Sequence, residues 1–274
     1  MEYRKILIKY GGNAMISEAL KVGIAQKLKM LQEHGIQVVM VHGGGPFINK
    51  SLADAGIESE FFDGHRHTSI EAMSCIEKTL KGEVNSSLVN LLNKQGLKAV
   101  GLSGKDGKLA IAQKRWHTGL NENGEQVRVD LGQVGDVVSV DPLLIDSLLE
   151  NKFSPVITCI ASDKEGNDYN INGDVFAGKI AAAIKADAYI VLTDVDGLYK
   201  EYPNPASIIR EIDTATIPKY YGDVISGGMI PKIESCVAAV QSGVKKAVIL
   251  NGTRPEQITD YIIHKISIGT TIKL

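Results

Sequence analysis

Six short apolar runs recur along the chain, at residues 5–10 (KILIKY), 38–42 (VVMVH), 98–103, 155–161, 188–193 and 246–251 (KAVILN). Most are separated by stretches in which apolar residues return every three or four positions. Strands that are almost continuous Val, Ile and Leu are buried on both faces, and their alternation with helical segments predicts an α/β fold: a mainly parallel open sheet sandwiched by helices. In residues 16–34, Ile16, Ala19, Leu20, Ile24, Leu28 and Leu31 share one helical stripe, and Gly35 supplies a stop. Residues 69–95 carry Ile70, Met73, Ile76, Leu80, Val84, Leu88 and Leu91 at helical spacing, more apolar positions than one sheet face absorbs, so part of this helix is expected to bury against a second subunit. Between residues 109 and 140 the period changes to two. There LAIAQKRW and EQVRVDLGQVGDVVSV flank the turn GLNENGEQ as an antiparallel hairpin insert. No linker or repeat divides the chain; the softest boundary, at residues 186–187, gives an N-terminal lobe 1–186 and a C-terminal lobe 187–274 with the sheet continuing across it.

Two strand-to-helix junctions are rich in glycine: KYGGN at residues 9–13 and HGGGP at residues 42–46. Without a Cβ, the backbone N–H groups can approach a ligand closely, and the helix N-terminus that follows adds free donors and partial positive charge. Pro46 suits the first turn of such a helix, where its missing N–H costs nothing. The same glycines would also serve simply to make tight βα turns. The two turns together, one with Lys9 immediately before it, favour an anion site. Neither turn fits GxGxxG or GxxxxGK[ST], which argues against a dinucleotide fold and a P-loop.

Composition narrows the partners. With 30 basic and 32 acidic residues and a net charge of −2, nothing favours nucleic acid or an anionic membrane. The apolar runs are strand-sized and the N-terminus has no long apolar stretch, so neither a membrane span nor a secretory signal is expected. Cys75, Cys159 and Cys236 lack ligand spacing and read as buried thiols of a cytoplasmic protein. His65 and His67 have no second ligand cluster at zinc spacing, so no protein-held metal is expected.

The motifs KYGGN, HGGGP, GHRHT (64–68), NINGD (170–174), TDVDGLY (193–199) and GGMIPK (227–232), in this order, resemble the amino-acid kinase family over essentially the whole chain, and specifically its acetylglutamate kinase branch. The resemblance implies transfer of the γ-phosphoryl of ATP to the side-chain carboxylate of N-acetyl-L-glutamate, with Mg²⁺ held mainly by the nucleotide phosphates and water. That nucleophile has an ordinary pKa of about 4.3 and is already ionised, so positioning and positive potential are needed rather than a general base. By resemblance Lys9 reaches the transferring phosphoryl and Lys232 the leaving ADP, with Asp174 orienting both lysines. Gly11 and Gly12 face the nucleotide, and Gly44 and Gly45 the phosphoryl and the reacting carboxylate. Arg66 is the candidate for the α-carboxylate, because a guanidinium grips a carboxylate through two parallel hydrogen bonds, and Asn170 assists it. By resemblance Thr193, Asp194 and Val195 contact the nucleotide; Asp194 and Asp196 could instead be turn formers, and the family supports nucleotide contact more strongly for Asp194. The lobes 1–186 and 187–274 would then bind acetylglutamate and ATP respectively. Arginine-regulated hexamers of the family carry an extra helix before the first strand; here the strand begins at Lys5, which leads to the expectation of an arginine-insensitive homodimer. The rivals are another amino-acid kinase acting on a different small carboxylate, and a non-catalytic metabolite-binding regulator of the same fold.

Overall fold

In the computed structural model, which describes residues 3–62, 65–120 and 126–274, five of the six apolar runs and the first part of the run at 155–161 supply strands of one eight-stranded sheet. Its order is Glu211–Asp213, Thr270–Lys273, Lys246–Asn251, Ala188–Thr193, Lys5–Tyr10, Gln37–His42, Ser154–Thr158 and Ala99–Ser103. The last six of these strands run parallel. Thr270–Lys273 pairs antiparallel with Lys246–Asn251 and closes that side together with Glu211–Asp213. Successive side chains of a strand point to opposite faces, and the sheet divides its apolar residues accordingly. Leu7, Val39, Val41, Val191 and Ile249 enter one core, while Ile6, Ile8, Val38, Met40, Ile190 and Val248 enter the other. The sheet continues across residues 186–187, because Lys5–Tyr10 bonds to Ala188–Thr193.

The first helix spans Glu18–Glu33 with Ser17 as its N-cap, and it buries Ile24, Ala25, Leu28 and Leu31. Ile16 lies before the cap and is 55% exposed, so it does not belong to the buried stripe. Gly35 ends the segment at φ 75, the left-handed stop expected of a glycine there.

The helical pattern of residues 69–95 is one continuous rod with a changed pitch in its middle: α-helix Ile70–Glu77, π-helix Lys78–Asn85, α-helix Ser86–Lys94. Met73, Ile76, Leu80, Val84 and Leu88 are all buried within the chain itself. Most of the stripe is therefore covered within the chain, leaving Ile70, at 78%, as its strongly exposed member. The wider π turns let the rod press more of its circumference onto the sheet and the neighbouring helix Gly45–Asp54.

The hairpin insert is present as Ala110–Leu120 and Gln126–Val140, with residues 121–125 of its turn outside the described residues. It is more than a hairpin: two three-residue strands, Ile160–Ser162 and Asp168–Asn170, close it into a four-stranded barrel. The run at residues 155–161 is accordingly not one strand. It bends at Cys159, ending Ser154–Thr158 in the main sheet and beginning Ile160–Ser162 in the barrel, where the Gly104 N–H donates to the Ile160 carbonyl at 2.7 Å. All three cysteines are free thiols; Cys159 and Cys236 are buried as expected, whereas Cys75 is only half-buried. Among the described residues no helix is long and apolar enough to cross a membrane.

Candidate active site

The strands Lys5–Tyr10 and Gln37–His42 are parallel neighbours, with Tyr10 opposite His42, so their glycine turns leave the sheet side by side at its carboxyl end. Ligands of open α/β sheets bind at this end. Gly12 has φ 72, and a Cβ there would lie 3.0 Å from Asp194 Oδ1. A Cβ on Gly44 would lie only 2.5 Å from Leu80 Cδ2, so a side chain here would have to displace Leu80 of the π-helical rod. Gly44 also caps the helix Gly45–Asp54, which has Pro46 in its first turn.

Asp174 stands at the opening of the helix Gly173–Ala183, whose N-cap Asn172 accepts hydrogen bonds from Asp174 N at 2.9 Å and Val175 N at 3.2 Å. It is buried between two ammonium groups: Lys9 Nζ is 2.9 Å from Oδ1 and Lys232 Nζ 3.4 Å from Oδ2. Burial alone would push the carboxyl upward, but the two lysines outweigh it and hold Asp174 below the usual carboxylate range. Lys232 lies in the first turns of Met229–Gln241 and also donates to the Gly228 carbonyl at 3.2 Å. A cation near a helix N-terminus is mildly disfavoured, and here the Asp174 carboxylate compensates for it.

A cavity of about 320 Å³ opens beside this group. Lys9, Gly11, Gly12, Gly44, Gly45, Arg66 and Asn170, seven of the residues singled out in the sequence, all line it. Arg66 is buried, donates to Ser59 Oγ and Asn49 Oδ1, and lies with its guanidinium carbon 4.5 Å from the Phe61 ring centroid. Its neighbour in the motif, Gly64, is outside the described residues. Asn170 Nδ2 reaches Thr68 Oγ1 at 3.5 Å, joining the barrel to the Arg66 segment. A larger cavity, of about 600 Å³, lies at the opposite ends of the strands around Gln37, Lys98 and Phe153 and contains none of the motif residues.

Thr193, Asp194 and Val195 do not line the 320 Å³ cavity; Asp194 lies beside Gly12 at its border. Thr193 ends its strand and accepts a 2.7 Å hydrogen bond from Gly252 N. Asp196 is a structural anchor, accepting from Asn251 Nδ2 at 2.9 Å and Gln257 Nε2 at 3.0 Å and lying 3.3 Å from Arg254. Sequence reasoning did not single out Asn49, Ser59 and Phe61, whereas Asn172 belongs to the NINGD motif. Each of the first three is a single residue with no glycine signature or periodic pattern to mark it, and only the fold brings it to the site.

The site can be set beside known proteins. A sequence model of the amino acid kinase family matches residues 4–251. The chain is 43% identical over 270 residues to the acetylglutamate kinase of Methanococcus aeolicus, covering 98% of this chain and 92% of that one. Against the acetylglutamate kinase of Geobacter metallireducens the identity is 43%, covering 98% and 92%. A crystal structure from Streptococcus mutans UA159 superposes with TM-score 0.78 at 29% identity, covering 100% of this chain and 99% of that one. Likeness that runs the length of both partners, in sequence and in fold, leads to one conclusion: the chain belongs to the amino acid kinase family.

Proposed function

We infer that the chain transfers the γ-phosphoryl of ATP to the side-chain carboxylate of N-acetyl-L-glutamate, giving N-acetyl-L-glutamyl 5-phosphate and ADP, a step of arginine biosynthesis. The observation that carries this reading is the shared cavity: a buried arginine and an asparagine stand across from two glycine turns and a lysine that is tied through Asp174 to a second lysine.

The acceptor carboxylate is an anion at neutral pH, and the phosphoryl donor is an anion as well. The barrier is therefore one of approach and charge, met by fixed dipoles and cations in a site shielded from water. Arg66 grips the α-carboxylate through its planar fork, and Asn170 orients the acyl-amino end. The backbone donors of Gly44 and Gly45 hold the phosphoryl and the attacking carboxylate, while Gly11 and Gly12 border the nucleotide phosphates. Lys9 stabilises charge on the phosphoryl in flight, and Lys232 does so on the departing ADP. Asp174 keeps both ammonium groups in place without itself exchanging a proton. Thr193, Asp194 and Val195 contact the nucleotide, so that residues 1–186 carry the acetylglutamate side and 187–274 the ATP side. Mg²⁺ would be held by the ATP phosphates and water rather than by Asp174, both of whose oxygens already face ammonium groups.

The enzyme is cytoplasmic, where its ATP is supplied, and works as a homodimer. The exposed Ile70, on the helical rod beside the sheet edge, supports contact with a second copy. The test is ADP release with N-acetyl-L-glutamate set against free L-glutamate, together with hydroxylamine trapping of the acyl phosphate and sedimentation for the mass. Equal turnover of the free amino acid, absence of the hydroxamate, or a monomeric mass would each overturn the corresponding part.

A further inference from the structure

Among the buried groups that the mechanism leaves unused, one stands directly before the second glycine turn. His42 is wholly buried at the end of its strand, immediately before the glycine turn. Its Nδ1 is 2.8 Å from the Gly43 carbonyl oxygen, and its Nε2 is 2.9 Å from Asn85 Nδ2. A carbonyl can only accept, so Nδ1 carries the proton. Nε2 of the neutral ring then accepts from Asn85, whose same amide nitrogen also donates to the Val156 carbonyl at 2.9 Å. Burial keeps the ring neutral, with its pKa pushed down to about 4. Asn85 ends the π-helical stretch Lys78–Asn85, and a Cβ on Gly101 would lie 2.1 Å from Asn85 Oδ1, so the sheet leaves a slot for this amide.

We infer that His42, held by Asn85, is a positioning residue that aims the Gly44 N–H at the transferring phosphoryl. The peptide between Gly43 and Gly44 is planar and trans, so its oxygen and its hydrogen point in opposite directions. Fixing the oxygen against the buried imidazole turns the hydrogen away from the core, toward the cavity that Gly43 and Gly44 line. The Gly43 N–H is already given to the Tyr10 carbonyl at 3.0 Å, which leaves Gly44 as the first free donor of the turn. The π-helical rod thereby sets the direction of a dipole in the site: it presents Asn85 to His42 and Leu80 to Gly44 in consecutive turns.

This assignment rests on reading the turn as phosphoryl-binding, so its test has one arm free of that reading. ¹⁵N NMR of the His42 ring in the unliganded protein should show Nδ1 protonated and Nε2 bare; a proton on Nε2 overturns the inference whatever the enzyme phosphorylates. The second arm is kinetic and uses two amides of different reach. In His42→Asn the side-chain nitrogen falls where Nδ1 was and can still donate to Gly43, whereas in His42→Gln the amide falls near Nε2 and cannot. With N-acetyl-L-glutamate and ATP, His42→Asn should keep most of kcat, and His42→Gln should lose about tenfold or more, with both KM values little changed. Equal kcat in the two folded variants overturns the inference. If neither folds, Gly101→Ala displaces Asn85 from the far side; an unchanged kcat there overturns it as well.

Discussion

Replacing Asp174 by Asn removes the one negative charge that two lysines share. At separations of 2.9 and 3.4 Å and an effective dielectric of about 20, each attraction is on the order of 5 kcal/mol before desolvation. The solvation that Lys9 gave up on burial offsets much of this, and breaking a buried pair from one side costs a net of about 3–5 kcal/mol. Lys232 keeps a side-chain exposure of 18% and can turn to water, but Lys9, at 9%, cannot. Asp174→Asn should therefore lower Tm by on the order of 10 °C for a chain of this size. The decisive partner is Lys9→Met in the same chain. If the penalty is an unpaired buried ammonium, the double variant Lys9→Met/Asp174→Asn recovers at least half of the lost stability. It stays inactive, with kcat down by at least about 100-fold, because the phosphoryl has lost its cation. Urea unfolding and steady-state kinetics of the single and double variants give both readings. An Asp174→Asn variant as stable as the parent, or a double variant less stable than Asp174→Asn alone, would refute the reasoning.

Arg66→Lys keeps the charge but loses the planar fork held by Asn49, Ser59 and Phe61, so the KM for acetylglutamate should rise by about tenfold or more while that for ATP stays within about threefold. Gly44→Ala places a Cβ 2.5 Å from Leu80 Cδ2 and should destabilise by about 1–3 kcal/mol, partly relieved by Leu80→Ala in the same chain, as denaturant midpoints would show. The buried His42, whose pKa falls from 6.5 to about 4, stays neutral in the folded state where the unfolded chain would protonate it. Its contribution to stability is therefore full above pH 6.5 and declines as the pH falls toward 4, by on the order of 3 kcal/mol, seen as a steeper acid loss in the parent than in His42→Asn.

Strands buried on both faces announce themselves, and residues 5–10, 188–193 and 246–251 form strands with the bounds their apolar runs suggest. The run at 155–161 carries no turn residue to show that it serves two sheets; its bend at Cys159 is imposed by barrel closure, a tertiary event. The barrel itself was half legible, because its long strands alternate over many residues while its closing strands are three residues each and too short for a period. The π-helical stretch was invisible for a related reason: an apolar stripe tolerates one extra residue per turn without losing its sense of a helix. In the site, the glycines, lysines and Asp174 stood out through their motifs. Asn85 did not, since its importance lies in a slot left by Gly101 on another element.

The position of the first strand has a consequence for how the protein is made. Lys5–Tyr10 is synthesised well before residues 188–193, yet in the finished sheet it is a central strand between residues 37–42 and 188–193. Until residue 193 has been synthesised, one whole edge of this Ile- and Leu-rich strand has no partner, and pairings so distant in sequence are slow to form. The interval is a window for intermolecular strand addition. A chain cut near residue 186 would remain in that window, so truncated forms should be recovered as aggregate or bound to chaperones, and Lys9 would gain its final setting only after residues 188–232 have been made.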